Sequence, residues 1–171
     1  MSEQNKKTVL AYVDAFNRGD LEAVCRHFTP DALAWGVLGG GEIEKVREVW
    51  RDLIESLEIR LQVESIVAEG NVVAVRFTER GRSVRDFRGM RATGRSYEAI
   101  AMEWFEMQDG RIHRRWGARD SGTIYGQLGF PPPGTDSPSG LEALAVRFEV
   151  DHPDLADALR RFVDALGKAG I

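Results

Sequence analysis

Two carboxylates stand where strand alternation can turn them toward an apolar face. The first is Asp120, in the stretch RRWGARDSG, residues 114–122. Trp116 and Ala118 alternate there with charged or small residues, as in a strand with one buried face, and Asp120 falls on their side. A carboxylate buried without a partner is costly, or its pKa rises, which is the environment of a general acid or base. The same position also suits a capped strand end, because Ser121-Gly122 follows as a turn-like pair. The second carboxylate is Glu103, in AMEWFEMQDG, residues 101–110. Strand parity there puts Glu103, Phe105 and Met107 on one face and Met102, Trp104 and Glu106 on the other. Arg114 shares parity with Trp116 and Asp120 and is the obvious charge partner of the aspartate. A tight pair would lower the Asp120 pKa and make it a poor base.

The elements that must position these groups are legible from periodicity. Residues 6–18 read as a helix through Val9, Leu10, Val13 and Phe16, and Gly19 stops it. Asp20 caps a second short helix, 21–28, which Pro30 ends. ALAWGVL is a short strand running into a turn at Gly39-Gly40-Gly41, and 42–57 returns to helical spacing. The period then changes from 3.6 to 2. A strand through Ile59, Leu61, Val63 and Ile66 meets a hairpin turn at Glu69-Gly70-Asn71, and VVAVRFTERGRS pairs back. A third long strand, 95–107, closes on Gln108-Asp109-Gly110, and RIHRRWGARD returns beside it. Helices followed by antiparallel hairpins make an α+β pattern, in which a curved sheet wrapped around a long helix would enclose one pocket.

FPPPGTDSPSG, residues 130–140, reads as a semi-rigid linker. Beyond it two short helical stripes run through Leu141, Leu144, Ala145 and Phe148, and through Leu155, Leu159, Phe162, Val163 and Leu166. The expected organisation is a main domain at 1–130, a Pro/Gly linker at 131–140 and a helical tail at 141–171. Two short helices cannot bury their stripes alone, so the tail is expected to dock on the main domain or on a second copy.

With 171 residues, 43% hydrophobic and 29% charged, the composition is that of an ordinary globular protein. No apolar run approaches the roughly 20 residues of a membrane helix, and residues 1–7 do not read as a secretory signal, so the expected compartment is the cytoplasm. The single cysteine, Cys25, allows no internal disulfide and no cysteine metal cluster, and His27, His113 and His152 show no ligand spacing. A net charge of −4 argues against a nucleic-acid partner. One stretch, RGRSVRDFRGMRATGR (80–95), carries six arginines and reads as a solvated connection between strands, with Phe87 and Met90 its largest apolar groups.

Three stretches together resemble the SnoaL-like polyketide cyclases, a branch of the NTF2-like superfamily. They are YVDAFNRGDLEAVCRHFTPDA, the helix-Gly-Asp-helix opening; ATGRSYEAIAMEWFEMQDGRI, a Thr-Gly turn into a long strand and Asp-Gly hairpin; and WGARDSGTIYGQLGF. The resemblance covers residues 6–130, and the tail is similar to the end of a small uncharacterised helical family of bacterial proteins. It implies an NTF2-like cone with an intramolecular aldol closure run without metal or organic cofactor, and an acid–base role for Asp120. It also implies a polar, pocket-facing residue at Glu103, so that the two carboxylates would share one cavity. Tyr12, Trp35, Trp50, Phe105, Met107, Arg114 and Trp116 are the candidate substrate-binding residues. Trp104, opposite Glu103 in parity, fits a sheet-to-sheet homodimer contact.

Other NTF2-like chemistries fit less well. Ketosteroid isomerases carry a Tyr at the place of Tyr12, but their base Asp falls at Gly36. The limonene-epoxide hydrolase type needs an Arg on a strand that offers only Glu98, Glu103 and Glu106, although a water-activating carboxylate pair stays conceivable. Scytalone-dehydratase-like chemistry needs paired pocket histidines. The non-enzymatic alternative is a small-ligand-binding or dimerisation module, since fold does not decide function. A cavity that is closed, apolar and furnished with a perturbed acid discriminates in favour of the enzyme.

Overall fold

The computed structural model describes residues 2–131, of which 2–130 belong to a compact unit that runs from Met1 to Phe130. The tail helices expected at 141–171, and nearly all of the linker, lie outside the described residues. Helix α1 (Ser2–Arg18) buries Val9, Tyr12, Val13 and Phe16 on one stripe and stops at Gly19, whose φ of 73° is the left-handed conformation that ends helices. It begins at Ser2 rather than Lys6. Asp20 caps α2 (Leu21–Arg26) by accepting from the Ala23 N–H at 2.9 Å. Phe28, expected at the end of that helix, instead opens strand β1 (Phe28–Gly36).

The glycines expected to form a turn make strand β2 (Gly39–Glu42) against β1. The physical reason is at Gly40, where an added Cβ would lie 2.4 Å from the Trp35 ring and 2.7 Å from the Ala34 carbonyl. Only glycine permits so close a pairing. Helix α3 (Ile43–Leu57) follows and buries Val46, Trp50, Leu53 and Leu57. The hairpins expected in the second half are present as β3 (Arg60–Glu69), β4 (Val72–Arg82), β5 (Ser96–Gln108) and β6 (Arg111–Arg119). A fourth helix, α4 (Ser121–Leu128), replaces the turn expected after Asp120.

The six strands form one sheet in the order β2-β1-β6-β5-β4-β3. All pairs are antiparallel except β1 with β6, which run parallel, so the sheet is mixed where uniform antiparallel pairing was expected. Helix α1 packs on the sheet and is tied to edge strand β3 through Asn17. That side chain donates to the Leu61 carbonyl and accepts its N–H, both at 2.8 Å. The helices and the sheet's inner face enclose one apolar core that includes Tyr12, Phe16, Trp50, Phe77, Phe105 and Ile112. This is the α+β, NTF2-like architecture. Among the described residues, no helix is long and apolar enough to cross a membrane.

Candidate active site

Strand β5 alternates without interruption, buried and exposed by turns, and so delivers Tyr97, Ala99, Ala101, Glu103, Phe105 and Met107 to the inner face. Strand β6 does not. Met107 pairs with Ile112 but Glu106 pairs with Arg114, which leaves His113 as an extra residue. That bulge reverses the alternation. Ile112 faces in at one end, and beyond His113 the inward side chain is that of Arg115, with Trp116 on the outer face, 36% exposed. Gly117 and Arg119 continue the inner side and line the cavity.

The bulge corrects the expectation for Asp120. The aspartate is exposed and begins α4, accepting from the Thr123 N–H at 3.0 Å and the Thr123 hydroxyl at 2.7 Å. These hydrogen bonds hold its carboxyl below the usual aspartate range, the opposite of a base made strong by burial. Arg114 is not its partner. That guanidinium donates to the His113 carbonyl at 2.9 Å and to the Asp31 carbonyl at 3.3 Å.

A cavity of about 60 Å³ lies between α3, the β1–β2 hairpin and the inner sheet face. Its apolar wall comes from Phe16, Leu38, Val46, Trp50, Leu53 and Leu61, and its polar lining from Glu79, Glu103, Arg115 and Arg119. Of the residues expected at a site, Glu103 and Trp50 line it. Phe105 and Met107 are core, Trp35 stacks on Trp116 with centroids 5.2 Å apart, and Tyr12 is fully buried among Phe16, Phe28, Trp50 and Phe105. A wider groove of about 460 Å³ runs along the ends of β3, β4 and β5. It is open, and its Arg80 is already engaged by Glu98 at 2.7 Å and Gln62 at 2.6 Å. The enclosed cavity is the better chemical site because charges act more strongly where water is excluded.

Two clusters of Tyr, Glu and Arg furnish it. In the first, Arg115 Nη2 donates to Glu103 Oε1, its Nη1 donates to the Trp35 carbonyl at 3.3 Å, and the guanidinium sits 5.7 Å from the Trp50 ring centroid. Burial works against the Arg115 charge, but Glu103 and Tyr12 beside it together outweigh burial and drive its ionisation further up. Burial raises the Tyr12 hydroxyl strongly, with Arg115 opposing and Glu103 adding to the shift. Three atoms here are buried without a hydrogen bond of ordinary geometry: Tyr12 Oη, Glu103 Oε2 and Arg115 Nε.

In the second cluster, the Tyr97 hydroxyl donates to Glu79 Oε1 at 2.7 Å, and Arg119 Nη2 donates to the same oxygen and to Tyr97 Oη, the latter at 3.1 Å. Burial pushes the Glu79 carboxyl up against the opposing pull of Arg119 and Tyr97. Nothing singled out Glu79, Tyr97, Arg115 or Arg119 in the sequence. Two signals were there to read, because Glu79 shares parity with Val73, Val75 and Phe77, and Tyr97 shares it with Glu103.

Comparison with known proteins agrees with this fold. The family model described as a SnoaL-like domain matches residues 9–115. The chain belongs to the SnoaL-like family. This SnoaL-like chain is 30% identical over 141 residues to aklanonic acid methyl ester cyclase AcmA of Streptomyces galilaeus, which covers 80% of the chain and 97% of AcmA. Among solved structures it is similar to IdmH of Streptomyces antibioticus, a provisionally assigned polyketide cyclase (29% identity, TM-score 0.66, 74% of this chain and 99% of IdmH). AclR of Streptomyces galilaeus, a provisionally assigned hydroxylase, shares the fold at 24% identity and a TM-score of 0.70, over 77% of this chain and all of AclR. AcmA is a cyclase by name and IdmH is provisionally assigned as one, which suggests an enzyme.

Proposed function

We propose that the protein is a ring-closing cyclase of the intramolecular aldol type, acting without cofactor on a hydrophobic, carbonyl-rich small molecule. The observation that carries this reading is the Glu103–Arg115 pair. An acceptor, Glu103 Oε2, and a donor, Arg115 Nε, stand buried and unpartnered in a pocket with apolar walls. A keto–enol group would satisfy both. Substrate oxygens that draw Arg115 away from Glu103 free the carboxylate to take the proton from a carbon flanked by carbonyls, and Arg115 stabilises the charge that develops on the enolate oxygen. Tyr12, behind the pair, positions it. A ligand of drug-like size fills about 300–1,000 Å³, so admission of substrate parts the hairpin turn at Val37–Gly39 from α3. The protein works in the cytoplasm as a homodimer, with the second copy on the outer sheet face, where Ile100, Met102, Trp104 and Trp116 are exposed.

The test is ring closure on the substrate in the relative's name, aklanonic acid methyl ester, followed by chromatography, since closure leaves the mass unchanged. Wild-type protein converts it, and Glu103→Gln lowers the rate by about 10²–10⁴ while the circular dichroism stays native. Saturable binding without conversion, in wild type, would replace this reading with that of a ligand-binding module.

A further inference from the structure

Glu79 is the second buried acid of the pocket, and its surroundings differ from those of Glu103. It reaches the cavity from β4, two strands from β6, and it is held by a phenol on β5 and a guanidinium on β6. A carboxyl fixed in this way cannot swing out of the pocket. Arg119 lines the cavity beside it, opposite Ala101 in register, between Glu79 and Glu103. An aldol closure has two proton events: one leaves a carbon, and one arrives at the oxygen of the attacked carbonyl. The base that has taken the first proton can return it, or a second acid on the cavity wall can supply the other.

Resting on the cyclase reading, we infer that Glu79 is the catalytic acid of the closure, protonating the new alkoxide, and that Tyr97 is its positioning residue. The step balances without any co-reactant. Glu103 removes the α-proton, and the C–H electron pair becomes the enolate. The enolate carbon attacks the ketone, a C–C bond forms, and the carbonyl π pair moves to oxygen. The Glu79 carboxyl gives its proton to that oxygen. Glu103 then holds one proton more and Glu79 one fewer, and exchange with solvent after product leaves restores both. Burial favours the neutral form of Glu79 that this role requires, with Arg119 and Tyr97 opposing.

The two roles separate in heavy water, because exchange of the α-proton needs only the base, whereas closure needs both groups. With aklanonic acid methyl ester as the probe, Glu79→Gln keeps α-deuterium exchange near the wild-type rate and loses closure by about 10²–10⁴. Glu103→Gln loses both. Tyr97→Phe provides a second arm if Glu79→Gln does not fold. Closure needs protonated Glu79, so the rate falls as pH rises through its pKa. The Tyr97 hydroxyl favours the charged carboxylate, and its removal moves that alkaline limb to higher pH. Closure by Glu79→Gln at the wild-type rate, equal loss of exchange and closure in that variant, or an unmoved limb in Tyr97→Phe would each overturn the assignment. Failure of the wild type to exchange or close would bring down the cyclase reading itself, and this assignment with it.

Discussion

The cluster Tyr12–Glu103–Arg115 and the cluster Tyr97–Glu79–Arg119 contain the same three side-chain types on the same face of one sheet. They differ in where their hydrogen bonds end. In the second, the phenol donates to the carboxylate, the guanidinium donates to both, and one atom of the set, Arg119 Nε, is left over. In the first, the guanidinium holds the carboxylate, but the phenol, one carboxylate oxygen and Arg115 Nε are left over. A buried polar atom without a partner is costly to leave so, and it persists where something else completes it. The more nearly closed cluster, with one such atom against three, therefore has the character of a fixed proton store, and the more open one that of a receptor for substrate oxygens.

The largest effect expected from this difference is on stability. Arg115→Met leaves the buried Glu103 charge uncompensated, and a loss of about 3–5 kcal/mol in urea unfolding is the expected result. Replacing both partners, with Glu103→Leu added, restores most of that loss, because two apolar groups of similar size need no pairing. A single Arg115→Met that unfolds like the wild type would show that the pair is not buried in solution.

A smaller contrast sharpens the comparison through the two phenols. Tyr97→Phe removes a donor from a buried carboxylate and costs about 1–3 kcal/mol. Tyr12→Phe removes a buried hydroxyl whose interactions with Glu103 and Arg115 fall short of ordinary hydrogen-bond geometry, so its cost is smaller. Thermal unfolding of the two variants side by side reads the difference directly. Equal losses would mean that the Tyr12 hydroxyl is satisfied and the first cluster is as nearly closed as the second.

What could be read in advance follows the same division. Strand β5 runs thirteen residues in strict alternation, so parity grouped Glu103 with Phe105 and Met107 and the family resemblance turned that face inward. The helix-Gly-Asp-helix opening was equally legible, because Gly19 and Asp20 are strong local stop and start signals. Strand β6 was not legible, since one unpaired residue, His113, exchanges its two faces and no residue type announces it. Counting by twos back from Asp120 put Trp116 and Arg114 inside, whereas the bulge puts Arg115 and Arg119 there. The arginines of the pocket were hidden because charged residues on a mostly polar strand read as its solvent side. Helix α4 was missed for another reason. Gly122 and Gly126 are poor helix formers, and the helix is held by its cap at Asp120 and the burial of Ile124 and Leu128.

The smallest expected effect decides the most about the chemistry, and it concerns Asp120, where the family resemblance puts the acid–base group. Asp120 is outside the cavity and accepts two hydrogen bonds from Thr123. Asparagine caps a helix start as well as aspartate does, so Asp120→Asn should leave both closure and thermal stability near wild type, whereas Asp120→Ala loses the cap and some stability. The sign with pH follows from the lowered pKa. The cap's ionic contribution is complete above the unfolded aspartate value of about 3.9 and fades as pH falls through the folded one. Acid unfolding of Asp120→Ala should therefore be less steep than that of wild type, with no difference in pH dependence near neutrality. If Asp120→Asn instead abolished closure while keeping α4 intact, the base would belong at the strand end. Glu103 and Arg115 would then be a structural pair, because a carboxylate that only caps a helix can lose its charge without loss of turnover, and a catalytic base cannot.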